Sequence, residues 1–125
     1  WLQFDVRKGN FAMIYHSNER QHKMIGVDER CDREDMVSVE QLCGCGRLLG
    51  VITVPPGGAI ADHTHHKEFE VYYLLSGSGL YNNNGVEVTI GPGDVTYCPE
   101  GETHGVLNNG KEDLVFVAFI GFPAK

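Results

Sequence analysis

Two stretches of the chain are apolar without a break: Leu48–Val54 (LLGVITV) and Leu114–Ile120 (LVFVAFI). Runs this short, rich in β-branched and aromatic residues, read as strands buried on both faces. Pro55-Pro56-Gly57 stops the first of them. Val86–Ile90 (VEVTI) alternates apolar and polar, the mark of a half-buried strand. Val71–Leu75, Leu80–Tyr81, Val95–Cys98 and Val106–Leu107 are shorter apolar segments of the same kind. Met36–Leu42 (MVSVEQL) also alternates and predicts a strand, its apolar side chains toward the core and Ser38 away from it, with Val37 and Val39 against Met36 and Leu42 leaving the register open. Phe11–Tyr15 (FAMIY) reads as a further short strand after an extended arm over residues 1–10. Residues 16–35 are dense in charge and poor in apolar side chains, which predicts loop with at most a short helical turn.

Between these segments lie Ser76–Gly79, Asn82–Gly85, Gly91–Asp94, Pro99–Glu102 and Asn108–Gly110. Each combines Gly, Pro, Asn, Asp or Ser, residues that favour turns. Asn84-Gly85 tolerates the positive φ that a tight hairpin demands. Many short strands with a turn roughly every ten residues, and no helical period, predict an all-β sandwich or barrel. The 125 residues suit one domain. The reading is an N-terminal arm and loop over residues 1–35 packing on a barrel formed by residues 36–125.

Charge and cysteine content narrow the function classes. The net charge is −7 and no basic run occurs, which excludes an ordinary nucleic-acid binder. No apolar run approaches the ~20 residues of a membrane-spanning helix. Cys31, Cys43, Cys45 and Cys98 lack the density of a secreted disulfide framework. They read as reduced thiols of a cytoplasmic protein, with a zinc or redox cluster of Cys31, Cys43 and Cys45 as the alternative.

The chemistry is concentrated between Gly57 and Gly77. Alternate residues of a strand share a face, so His63 and His65 point one way, and Glu70 and Tyr72 share a face one strand later. His104 lies downstream, behind Pro99-Glu100-Gly101. Imidazoles and a carboxylate converging on one spot suit a divalent metal of intermediate softness. His63, His65, Glu70 and His104 are therefore the candidate ligands, and His66 points to the opposite face. Glu68 is a second, weaker carboxylate. Tyr72 is the candidate catalytic residue, an inward phenol able to bond a substrate or act as a weak acid; the competing reading is an aromatic that fills the barrel. One of Tyr97 and Cys98 faces inward. Arg47 either binds an anionic substrate or is a solvated strand end. His16 and His22 are exposed.

The spacing of these residues resembles the cupin superfamily. Gly57, five residues, His63-Thr64-His65, four residues, Glu70, six residues, Gly77 is similar to its first motif. Gly93, five residues, Pro99, one residue, Gly101, two residues, His104, three residues, Asn108 is similar to its second. Fifteen residues separate the two, as in small single-domain members. The resemblance implies a double-stranded β-helix or jelly-roll barrel, paired as a homodimer, with His63, His65, Glu70 and His104 holding one ion of Mn, Fe, Co, Ni, Cu or Zn. It implies a metal-dependent enzyme acting on a small polar metabolite, as a dioxygenase, decarboxylase, isomerase, epimerase or lyase. A non-catalytic metal- or small-ligand-binding module is the alternative, and a barrel whose metal only stabilises the fold is the third reading. Neither nucleic acid nor membrane is an expected partner.

Overall fold

The computed structural model describes residues 4–5, 10–11 and 14–124. Twelve strands occur among them, and the helical content is three single 3-10 turns. β1 (Phe4–Asp5) and β2 (Asn10–Phe11) form a two-residue ladder of their own. The remaining strands build two antiparallel sheets. The larger has the order β10-β7-β12-β5-β4-β3, the smaller β6-β11-β8-β9. In chain order these are β3 (Gln21–Ile25), β4 (Cys31–Asp35), β5 (Gly46–Val54), β6 (Ala59–Thr64), β7 (Phe69–Ser76), β8 (Gly79–Asn83), β9 (Val86–Ile90), β10 (Val95–Cys98), β11 (Thr103–Leu107) and β12 (Leu114–Gly121). This is the expected all-β, double-stranded β-helix architecture.

β5 and β12 pair along their whole length at the centre of the larger sheet. Their inward residues Leu48, Ile52, Val54, Leu114, Phe116, Ala118 and Ile120 are buried and make the core with Tyr72, Leu74, Tyr81 and Val106. Removing each large side chain of this set from water contributes roughly 1.5–3 kcal/mol. The two apolar runs were expected to be covered on both faces. Instead their outward residues, Leu49, Val51, Val115, Val117 and Phe119, are only half-buried among the described residues.

Three further sequence expectations are corrected. The charged stretch 16–35, read as loop, contains β3 and β4, which extend the larger sheet beyond β5. Ion pairs hide this strand character from hydropathy: Arg20 meets Glu34 at 3.2 Å and Arg33 meets Asp35 at 2.9 Å. β3 is the edge strand, where charge is favoured, and the β3–β4 and β4–β5 ladders supply the pairing, so context overrides propensity. Met36–Leu42, read as a strand, is a loop ending in a 3-10 turn, Glu40–Leu42. Ser38 is buried and Val39 exposed, the reverse of the expected facing. The cause is local. The Ser38 N–H donates to Gln41 Oε1 at 2.8 Å and the Gln41 N–H donates to Ser38 Oγ at 3.3 Å, a reciprocal closure that competes with a ladder. Of the FAMIY segment, Phe11 ends β2, residues 12–13 lie outside the described residues, and Ile14 and Tyr15 are not in a strand. Most of the expected arm over residues 1–10 also lies outside the described residues.

Two turn residues position the site. Gly101 has φ +86, a conformation that side chains disfavour, and its N–H donates to the His65 carbonyl at 2.7 Å. Asn108 is fully buried. Its Nδ2 donates to the carbonyls of Val54 and Glu112 at 2.8 and 2.7 Å, and its own backbone exchanges bonds with Gly57 and Gly58. The turn that launches β6 is thereby fixed to the end of β11.

Candidate metal centre

β6 carries His63, and His65 lies one residue past its end. β7 carries Glu70 and Tyr72 at its start, and β11 carries His104. His104 pairs directly with His63 across the β11–β6 ladder, and the register shifts between His104 and Val106. An irregularity there re-aims the side chain beside it. Glu70 comes from the opposite sheet, so the four groups meet between the two layers.

They meet closely. His63, His65 and His104 place their Nε2 atoms 3.0–3.1 Å from one another. Glu70 Oε1 lies 3.0 Å from His65 Nε2, 2.9 Å from His104 Nε2 and 3.6 Å from His63 Nε2. Every Nδ1 is engaged on its far side. His63 Nδ1 donates to the Ala61 carbonyl at 2.8 Å. His65 Nδ1 donates to Glu68 Oε1 at 2.8 Å. His104 Nδ1 lies 2.7 Å from the Tyr81 hydroxyl. With the proton on Nδ1, each neutral ring turns a bare Nε2 lone pair to the centre. Three lone pairs and a carboxylate oxygen cannot satisfy one another by hydrogen bonds. Ligand atoms about 2.1 Å from one ion and at right angles to each other lie about 3.0 Å apart. The donor set and its spacing thus fit one small divalent cation. Among the described residues, this is the one group of three or more such side chains whose ligand atoms come together.

Protons compete for the same place. Hydrogen bonding to Glu70 raises the pKa of His63 and of His65 against the opposing effect of burial. Burial lowers that of His104. Burial alone would raise Glu70, but bonds from His104, His63 and His65 outweigh it and hold the carboxyl well below its ordinary range. Side-chain exposure is 2 % for His65, 4 % for Glu70 and 1 % for His104, against 36 % for His63, so the centre opens on the His63 side.

The other candidates take definite places. His66 is exposed, as the alternation predicts. Glu68 is not in the converging set. It accepts from His65 and is paired with Arg47, whose guanidinium holds its pKa down at about 2. Arg47, half exposed, is committed to that pair rather than pointing inward. Cys98 is the inward member of its pair with exposed Tyr97, and burial pushes its thiol up. Cys31 is buried while Cys43 and Cys45 are exposed, and all four cysteines are free thiols, so the alternative cysteine cluster does not form. His16 and His22 are exposed. Tyr72 is completely buried. Its ring stacks on His104 with centroids 5.1 Å apart and packs on Phe116 at 4.2 Å. Burial raises its phenol well above the ordinary value, so the hydroxyl keeps its proton.

Tyr81 is the residue that sequence reasoning passed over, where it marks only the start of a return strand. Burial pushes its phenol up to about 12. Its inward parity was available. Its partner was not, because the β8–β11 ladder that brings it to His104 joins residues 23 apart in sequence.

A cupin-domain family model matches residues 50–120. An oxalate-binding protein of Thermotoga maritima is 37 % identical over 117 residues, covering 90 % of this chain and 97 % of its own length. A crystal structure of a predicted oxalate decarboxylase from Thermotoga maritima superposes with a TM-score of 0.82 at 34 % identity, over 89 % of this chain and all of that one. The polyketide cyclase RemF of Streptomyces resistomycificus superposes with a TM-score of 0.71 at 20 % identity, over 91 % of this chain and 87 % of that one, a likeness of fold alone. Among the described residues, no helix is long and apolar enough to cross a membrane.

Proposed function

Because the chain belongs to the cupin family, we propose that His63, His65, Glu70 and His104 hold one divalent transition-metal ion that binds a small dicarboxylate of the oxalate type. The observation that carries this reading is the convergence of three Nε2 lone pairs and Glu70 Oε1, with every Nδ1 already occupied. The ion, when bound, would supply Lewis acidity for chelating adjacent carboxylate or keto oxygens. The chain's own residues fix the ligands, keep the inner wall dry through Tyr72 and Phe116, and leave an approach at His63. The names carried by the Thermotoga maritima relatives support oxalate as the first ligand to try.

Catalysis is the second reading, and Tyr72 favours it. Its protonated hydroxyl lies beside Glu70 and its ring lies on His104, where it can donate a hydrogen bond to bound substrate or serve as a proton donor. The other titratable groups in contact with the ligands, Glu68 and Tyr81, are already engaged by Arg47 and His65 or by His104. This supports binding over a proton-shuffling isomerase.

One series tests both readings. Elemental analysis of gently purified protein is expected to give about one equivalent of metal. His104→Ala is expected to lose most of it while remaining folded by circular dichroism. Calorimetry is expected to show metal-dependent oxalate binding to the wild type, and release of formate and carbon dioxide would establish turnover. Unchanged metal in His104→Ala refutes the ligand assignment. Equal oxalate affinity with and without metal refutes the chelation reading.

A further inference from the structure

Three of the four converging groups are aimed by sheet register, and His65 is not. It lies past the end of β6, in the turn that leads to β7. Two backbone bonds tie that turn down: the His65 N–H donates to the Glu102 carbonyl at 3.2 Å, and the Gly101 N–H donates to the His65 carbonyl at 2.7 Å. Lys67, in the same turn, has φ +60, an uncommon conformation for a residue with a side chain. Neither feature fixes the rotation of the His65 ring. Glu68 does, through the 2.8 Å bond from Nδ1 to Oε1. Glu68 is in turn gripped by Arg47, with Nε on Oε2 at 2.7 Å and Nη2 on Oε1 at 2.8 Å. Such a two-point fork fixes a carboxylate in orientation as well as position. Arg47 belongs to β5, in the middle of the larger sheet, so the fork fastens the ligand-bearing turn to the body of the fold.

We infer that Arg47 and Glu68 are positioning residues that set the metal affinity of the centre through His65. The inference rests on the metal reading above. The three imidazoles differ in what receives their Nδ1 side: a carbonyl at His63, a phenol at His104, a carboxylate at His65. Only the last carries a full negative charge, and a charged acceptor raises the donor strength of the opposite nitrogen. His65 is therefore the strongest of the three nitrogen ligands. Arg47 is 47 % exposed, and an ion pair with one partner so wet contributes little to folding. Its work is orientation.

The test uses full-length protein stripped of metal and titrated with Co(II) against a competing chelator. Glu68→Gln keeps a carbonyl acceptor without the charge, and Glu68→Ala removes both. Arg47→Met frees the carboxylate, and Arg47→Lys keeps the charge without the fork. Glu68→Ala is expected to weaken Co(II) binding by about 10–100-fold, Glu68→Gln by less, and Arg47→Met by several-fold. Arg47→Lys is expected to fall between Arg47→Met and wild type. The visible Co(II) absorption is expected to shift in the Glu68 variants, and the metal-free melting temperatures to stay near that of the wild type. Wild-type uptake with unchanged affinity in both Glu68 variants overturns the inference alone. A fall in metal-free melting that accounts for the whole loss of affinity also overturns it, making the pair structural. No uptake by the wild type overturns the inference together with the ligand assignment.

Discussion

His65 and His66 are neighbours of the same type with opposite fates. One is buried with both ring nitrogens engaged, the other exposed. Alternation predicts that split from the sequence, but both lie past the end of β6, where backbone bonds to Glu102 and Gly101 and the Glu68 carboxylate hold His65 inward. Parity also places Glu70 and Tyr72 on the inner face, where both are buried. The cysteines divide by exposure instead. Cys31 and Cys98 are buried and their thiols are pushed up by loss of water, whereas Cys43 and Cys45 are exposed. The thiolate is the reactive form. Iodoacetamide at pH 8 is therefore expected to label Cys43 and Cys45 in the native protein, and all four cysteines only in denaturant. Early native labelling at Cys31 or Cys98, read by peptide mass spectrometry, would contradict the placement of β4 or β10.

Among the elements, the β3–β4 hairpin is the one that hydropathy hides, because its stabilising contacts are charge pairs. His22 and Asp32 sit diagonally across this ladder, and His22 Nδ1 lies 3.0 Å from each carboxylate oxygen. The bond to Asp32 raises the His22 pKa above its ordinary value. A raised folded-state value means that the pair's stabilisation is complete below the unfolded pKa of about 6.5 and is lost as pH rises through the folded one. An NMR titration is expected to place His22 above that reference, and Asp32→Asn to bring it back. An unshifted His22 in the wild type would mean that the hairpin is not paired in this register. Ser38 and Gln41 teach the converse. A period-two pattern there predicts a strand, yet two short side-chain bonds close a turn first.

For the whole molecule, the outward face of the larger sheet is the unfinished surface. Val95, Tyr73, Val117 and Val51 form one row across four strands, and Tyr97, Val71, Phe119 and Leu49 form the next. Val95 and Tyr97 are 63 % and 58 % exposed. A contiguous apolar face of this breadth marks an interaction site. We propose that a second copy of the chain covers it. Light scattering at tens of micromolar is expected to give twice the monomer mass, and Tyr73→Glu to halve it without loss of metal. A monomeric wild type would reject the pairing.

By itself the sequence determined the all-β class, the two apolar runs that become β5 and β12, the turns, and the four residues that come together. The class, the strands and the turns follow from local periodicity, which the chain carries in linear order; that His104, 34 residues beyond Glu70, joins the other three is legible through the resemblance of the two spaced motifs to the cupin superfamily. Only the tertiary structure decided that Gln21–Ile25 and Cys31–Asp35 are strands, that Tyr81 reaches His104, and that Arg47 grips Glu68 beside His65. Each of those depends on a ladder, an ion pair or a buried hydroxyl that gains its partner only when separate segments of the chain pair within a sheet.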